Sequence, residues 1–170
     1  TGKDIKMSKT GYVQNLAFVD GLDVEEKYAL ASHCIQLGDR TEGEKYRKKL
    51  IEAGFGINNL PTKEKFNKQH SITLEPDKPK FSFIDLFAGI CGFRIAMQSL
   101  GGQCVFSSEW DEAVKETYFQ NYGEVPFGDI TKPEIKALIP DQFDVLCAGF
   151  PCQPFSNAGL KRGIEDTRGT

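Results

Sequence analysis

Phe81-Ser82-Phe83-Ile84-Asp85-Leu86-Phe87-Ala88-Gly89-Ile90-Cys91-Gly92-Phe93-Arg94 is the stretch on which the fold turns. Its first seven residues, Phe81–Phe87, are rich in the aromatic and branched side chains that favour extended chain, and Ala88-Gly89 interrupts them. Residues 91–100 then carry apolar side chains at helical spacing. A strand that passes through a glycine turn straight into a helix is the opening unit of an alternating α/β fold.

Toward the C-terminus the alternation continues. Gln103–Ser108 predicts a second strand ending at Glu109, residues 111–121 a helix with Asp111 at its start, and Val125–Gly128 a short extended piece ending at Asp129. Residues 132–139 predict a further helix, with Thr131 as its cap and Pro133 in its first turn, and Phe143–Ala148 a strand ending in Gly149. This order implies a Rossmann-like, doubly wound, mainly parallel sheet with right-handed crossovers. Such a sheet presents its ligands beyond the carboxyl ends of its strands.

Toward the N-terminus the chemistry changes. Residues 55–80, with Pro61, Pro76 and Pro79 among many polar residues, read as a linker. Residues 23–54 read as a helical hairpin: Asp23 with Glu26 and Thr41 with Glu44 fit the capping-box pattern, and Gly38 and Gly54 stand where helices stop. Val24, Tyr28, Ala31 and Ile35 share one helical face, and Tyr46, Leu50 and Ile51 another. The expected organisation is therefore an N-terminal helical region over 1–54, a linker over 55–80 and an α/β domain over 81–170. Arg47, Lys48 and Lys49 fit the DNA-facing edge of a helix-turn-helix as well as an ordinary solvated face.

Composition narrows the classes. At 39 % hydrophobic and 26 % charged residues the chain is of ordinary globular make-up. No apolar run approaches the roughly 20 residues of a membrane-spanning helix, and residues 1–14 lack a signal peptide's apolar core, so a cytoplasmic protein without a membrane partner is expected. Cys34, Cys91, Cys104, Cys147 and Cys152 form no CxxC pair, and neither His33 nor His70 sits at zinc-finger spacing from them. No metal site is expected. Residues 1–80 hold 14 Lys+Arg against 12 Asp+Glu, and residues 81–170 hold 7 against 12. The acidic half offers little for gripping phosphates by itself.

The unusual residues cluster at the expected strand ends. A glycine turn, Gly89 and Gly92, admits a ligand at a helix amino end, and an acid 20 residues on, Glu109, suits the hydroxyls of a ribose. Either feature alone also fits helix packing and capping, and a lone Trp110 fits a core as well as an adenine platform. A nicotinamide-dependent oxidoreductase would share these features but would place a third glycine where Ile95 stands.

The combination is more specific. Asp85-Leu86-Phe87-Ala88-Gly89-Ile90-Cys91-Gly92-Phe93-Arg94, Ser108-Glu109-Trp110-Asp111, Gly128-Asp129-Ile130, Ala148-Gly149-Phe150-Pro151-Cys152-Gln153-Pro154-Phe155-Ser156, and the stretch from Gly163 to Asp166-Thr167-Arg168-Gly169-Thr170 closely resemble the first half of the bacterial cytosine-5 DNA methyltransferases. The resemblance covers roughly residues 81–170. It implies a reaction in which Cys152 adds to carbon 6 of a flipped cytosine and carbon 5 takes a methyl group from S-adenosylmethionine, leaving S-adenosylhomocysteine. A thiolate suits the step because it attacks near neutral pH and can leave again.

By the same resemblance Glu109 would hold the ribose, Trp110 the adenine face and Asp129 the adenine amino group, with Ile130, Phe87, Gly89, Gly92 and Pro151 lining the pocket. Gln153, Ser156, Arg162 and Arg168 would contact double-stranded DNA, on a loop over 153–170 that closes over the duplex. A restriction-modification setting is implied as well. The family usually has glycine where Cys91 stands, so a side chain in the turn nearest the cofactor is expected to tighten or obstruct it. The family's Glu-Asn-Val motif, arginine motif and sequence-reading domain do not appear in these 170 residues. The chain therefore reads as a fragment, or as one part of a split enzyme, poor in catalysis without the remainder. The competing non-catalytic reading makes the N-terminal hairpin a binder of DNA or of a partner and the second half a docking platform.

Overall fold

A computed structural model gives the fold and describes residues 22, 24–52, 56–70 and 78–150. Three parallel strands form the sheet: β1 (Phe81–Leu86), β2 (Gly102–Ser108) and β3 (Val145–Ala148), in the order β2-β1-β3. The expected third extended piece is reduced to Phe127, which bridges Ser108 in parallel on the outer side of β2. Strand order thus reverses beside β1, with its successor β2 on one side and the later β3 on the other. The crevice such a reversal opens lies at the carboxyl end of β1, just before Phe87. This is a partial Rossmann-like fold with an N-terminal helical part.

The helices are α1 (Val24–Leu37), α2 (Glu44–Glu52), α3 (Lys63–His70), α4 (Gly92–Ser99), α5 (Glu112–Tyr122) and α6 (Pro133–Lys136). On one face of the sheet Phe83, Cys104 and Cys147 pack with Phe81, Val145 and Met97 of α4. Alternation along β1 turns Ile84 to the opposite face, where it joins Val105, Phe106 and Phe127 against α1.

α1 is buried at every position from Tyr28 to Leu37. Burying its polar residues requires partners. Ser32 Oγ donates to Ala29 O and accepts from Val125 N–H at 2.9 Å, and Gln36 Nε2 donates to Asn67 Oδ1 at 2.8 Å. The helix stops at Gly38, whose φ of +54° favours glycine and whose N–H closes on Cys34 O at 3.0 Å. Arg47 donates to the Gly38 and Arg40 carbonyls beyond it.

Several expectations are corrected. Asp23 and Gly54 lie outside the described residues. Thr41 does not cap a helix: it opens a 3-10 turn, Thr41–Gly43, that follows Arg40 and runs into α2. Ile51 is exposed, because Tyr46 and Leu50, four apart, already fill the buried stripe of α2. The stretch expected as a linker holds a 3-10 turn, Ile57–Asn59, and α3, whose Phe66 is buried edge-on to Phe119 at 6.2 Å. A single apolar anchor gives no periodicity to read, which is why this helix escapes the sequence. One core runs from Leu22 and Tyr28 through Phe66 to Ile84, Phe127 and Leu138, so packing draws no line at residue 80.

Asp111 caps α5 as expected, accepting from Ala113 N–H and Val114 N–H. Thr131 does not cap α6, which is one short turn preceded by Lys132; Thr131 instead donates through N–H and Oγ1 to Asp129 Oδ1, each at 2.8 Å. β3 begins two residues later than expected, because Ser82 N–H goes at 2.7 Å to the Asp144 carboxylate in place of a backbone carbonyl; that carboxylate also accepts from Ser82 Oγ at 2.9 Å, while Asp144 N–H still bonds Ser82 O at 3.0 Å.

Candidate functional site

Three residues with positive φ fall within five positions after β1: Phe87 (55°), Gly89 (54°) and Cys91 (78°). The resulting tight turn directs Gly89 N–H at Glu109 Oε2, 2.9 Å away, while Glu109 Oε1 accepts from Trp110 N–H at 2.8 Å and Asp111 N–H at 3.1 Å. Glu109 is therefore a strut between the turn after β1 and the turn after β2. A carboxylate has about four acceptor positions. Three are taken by N–H groups, which leaves room for one further donor in this geometry and for a second when Gly89 N–H turns to a ligand.

Trp110, next to this strut, is 75 % exposed, which rules out the core reading of that residue. Phe87 lies at the mouth of the turn, 39 % exposed. An added Cβ at Gly92 would meet no atom within 4 Å, so the turn is open on that side. Asp129 lies in the neighbouring turn. Its carboxyl is held below the usual carboxylate range by the N–H and hydroxyl of Thr131, and the same bonds fix its direction. Ile130 packs half-buried against the main core. The Glu109 and Asp129 turns are tied by Phe127 N–H to Ser107 O at 2.9 Å and Glu109 N–H to Phe127 O at 2.8 Å.

Cys91 does not obstruct the cleft. Its side chain is fully buried with Ala88, Tyr118 and Tyr122, and burial pushes its thiol up to about 11. The left-handed backbone there costs a residue with a side chain about 1 kcal/mol relative to glycine, a physical reason for glycine at this place. Cys34, Cys104 and Cys147 are buried packing residues.

A functional candidate that sequence reasoning passed over is Asp85. It is fully buried, and neither carboxylate oxygen has a hydrogen-bond partner among the described residues. Alternation from Phe83 turns it to the α4 face, beneath the turn after β1. Burial raises its carboxyl from 3.8 to about 7; the Arg94 guanidinium opposes the rise, and Glu124 and Glu109 add to it. The available signal was an acid inside the otherwise apolar run Phe83 to Phe87. Beside it, buried Arg94 donates to Glu124 Oε1 at 2.9 Å and to Tyr118 Oη at 3.0 Å, and its guanidinium lies over the Tyr122 ring at 4.6 Å. Glu124 Oε1 also accepts from Ser107 Oγ at 2.9 Å and lies 3.3 Å from His33 Nε2.

The described chain leads out of β3 through Gly149, whose N–H bonds Leu86 O, to exposed Phe150. Pro151, Cys152, Gln153, Ser156, Arg162 and Arg168 lie outside the described residues. Among those described, no group of His, Cys, Asp and Glu is placed to hold a metal ion, and no helix is long and apolar enough to cross a membrane. The basic run on α2 is partly committed, Arg47 to two carbonyls and Lys48 to Glu52 at 3.9 Å, and α1 is too deeply buried to enter a DNA groove.

A model of the C-5 cytosine-specific DNA methylases matches residues 81–170. The type II methyltransferase M.HpaII of Haemophilus parainfluenzae is 68 % identical over 93 residues, which cover 55 % of this chain and 26 % of that protein. M.HhaI of Haemophilus parahaemolyticus is 58 % identical over 88 residues, 52 % of this chain and 26 % of its own length. The likeness to M.BsuFI of Bacillus subtilis, 39 % over 170 residues, takes in 96 % of this chain and therefore its N-terminal helices, but 41 % of that protein. The chain thus spans from about a quarter to two fifths of the length of these relatives.

Proposed function

The chain belongs to the C-5 cytosine-specific DNA methylase family, and we propose on that footing that it is the cofactor-binding and nucleophile-bearing part of a bacterial enzyme acting on cytosine in duplex DNA. The observation that carries this reading is the Glu109 strut: a carboxylate with spare acceptor capacity, beside an exposed indole, at the reversal of strand order. Glu109 receives the ribose hydroxyls, Trp110 the adenine face and the fixed Asp129 carboxylate the adenine amino group. Phe87, Gly89, Gly92, Ile130 and Pro151 shape the pocket.

S-adenosylmethionine supplies an electrophilic methyl group on a sulfonium, and it carries an ammonium as well. The chain's residues fit such a cation: Asp85, which has no hydrogen-bond partner among the described residues, sets a negative potential beneath the turn when ionised. Cys152 provides the thiolate that bonds to carbon 6 of the flipped base. Carbon 5, made nucleophilic by the Cys152 adduct, would use the released electron pair to take the methyl group that S-adenosylmethionine supplies, leaving S-adenosylhomocysteine. Loss of the carbon 5 proton to a base then restores the ring and expels the Cys152 thiolate. Gln153, Ser156, Arg162 and Arg168 are the DNA contacts, the remainder of the methyltransferase, in cis or as a second subunit, reads the sequence, and the setting is cytoplasmic restriction-modification. Residues 81–170 are the first part of the catalytic domain in this reading.

The test is a covalent trap. Full-length protein carrying this chain, given S-adenosylmethionine and duplex DNA with 5-fluorocytosine at the target site, should yield an adduct by mass spectrometry, because fluorine cannot leave as the proton does. Cys152→Ser should yield none. An adduct that persists in Cys152→Ser would refute the assignment of the nucleophile.

A further inference from the structure

α1 lies outside residues 81–170, yet its polar side chains hold the backbone from which both adenosine-side acids project. His33 Nδ1 sits 2.9 Å from Ala29 O, which puts the ring proton there and leaves Nε2 to accept from Ser107 N–H at 3.2 Å. Ser107 is two residues before Glu109. The His33 ring is also stacked on Phe127, centroids 4.5 Å apart at 28°, and Phe127 is two residues before Asp129. Ser32 Oγ takes Val125 N–H, and Gln36 Nε2 donates to Gly123 O at 3.4 Å. Past Asp129, Lys132 Nζ reaches Glu26 Oε1 of the same helix at 3.4 Å. Ser107 and Phe127 are themselves laddered, so the two acids hang from a pair of turns whose common backing is His33.

We infer that His33 is a positioning residue for the cofactor site: from an N-terminal arm that the family match does not include, it sets the spacing of Glu109 and Asp129. The inference rests on the cofactor reading given above. It acts through Ser107 and Phe127 and touches no reacting atom. A helix that grips both turns from behind fixes their separation before any ligand arrives, and such pre-organisation raises affinity by lowering the ordering cost of binding.

The experiment uses full-length protein carrying this chain, with ligand binding followed by calorimetry. Wild type, His33→Leu, His33→Gln and Leu50→Ala are titrated with S-adenosylhomocysteine, and amide hydrogen exchange is followed at Gly89, Trp110 and Thr131 without ligand. Leu50→Ala empties a fully buried site on α2 and supplies a loss of stability unconnected with Ser107. His33→Leu should weaken binding by about tenfold, the size of one lost positioning hydrogen bond, and should speed exchange at the three amides. His33→Gln, which returns an acceptor near Nε2, should stay within about threefold of wild type, as should Leu50→Ala. If His33→Leu does not fold, Ser32→Ala, which removes the acceptor of Val125 N–H together with the hydroxyl's local bond to Ala29 O, should show the same exchange pattern. Unchanged exchange at these amides, or equal effects of His33→Leu and Leu50→Ala, would overturn the inference. A wild-type chain that binds no S-adenosylhomocysteine, while His33→Leu still loosens the amides, would overturn the cofactor reading and leave the positioning of the two turns standing.

Discussion

Asp85→Asn should make the fold more stable at neutral pH and cofactor binding worse. An unfolded aspartate titrates near 3.8, whereas burial raises Asp85 to about 7 in the folded chain. Between those values the native state keeps a proton that the unfolded chain has released. The contribution therefore favours the native state fully below pH 3.8 and is lost as the pH rises through 7. At 1.36 kcal/mol per pH unit the whole shift is about 4 kcal/mol, of which about 2–3 kcal/mol falls between pH 5 and pH 8. The variant does not titrate there. Urea denaturation of wild type and variant at pH 5 and pH 8 should show the variant gaining about 2–3 kcal/mol on wild type across that interval, a comparison in which the constant cost of burying a carboxamide cancels. Affinity for S-adenosylmethionine should fall by about tenfold, and by less for S-adenosylhomocysteine, which lacks the sulfonium charge. Two parallel stability profiles would refute the reasoning, because Asp85 would then ionise as freely in the fold as outside it.

Cys91→Gly should change stability by less than about 1 kcal/mol, since relief of the left-handed backbone offsets the lost packing of a small buried side chain, and S-adenosylhomocysteine titration should show unchanged affinity. Glu124→Gln should cost about 3–5 kcal/mol in urea denaturation at pH 7, because Arg94 is left as an uncompensated buried charge. Burial works to raise the Glu124 carboxyl, but the Arg94 guanidinium and the hydrogen bonds from Arg94 and Ser107 hold it below 4.5; its contribution is present above that value and fades as the pH drops below it, so the gap between variant and wild type should narrow in acid.

The α/β half was legible because each of its signals is local. β1, β2 and α5 begin and end within a residue or two of expectation, since apolar runs, the Asp111 cap and glycine stops are read from neighbouring residues. Glu109 and Trp110 were placed at a strand end by the same logic. The N-terminal half hid two features for one reason, namely that amphipathic patterning reveals a helix with one wet face. α3 shows a single buried aromatic, Phe66, in a polar sequence. α1 has no wet face between Tyr28 and Leu37, so Ser32, His33 and Gln36, which are partnered core, stand outside the face of Val24, Tyr28, Ala31 and Ile35 that the spacing picks out. Asp85 was passed over because an orphaned carboxylate is defined by what does not surround it, which depends on the tertiary fold.

The buried polar residues are not distributed at random. Arg94, Ser107, Glu124 and His33 form a connected seam from α4, through the sheet, to α1, with the Asp85 carboxyl within the electrostatic reach of Arg94 at one end. An apolar seam of the same volume would cost less to bury, because paired charges rarely recover their full desolvation. Its value must lie in geometry. Apolar contacts slide with little penalty, whereas the Ser107 N–H bond to His33 and the Glu124 bonds to Arg94 and Ser107 each fix a distance to a few tenths of an ångström. The residues so fixed stand immediately before Glu109, at the root of Gly89 and Cys91, and on the path to Asp129. In the proposed cofactor reading, a ligand held between two carboxylates and a glycine turn tolerates little drift in their spacing, and the seam is placed to supply that constraint.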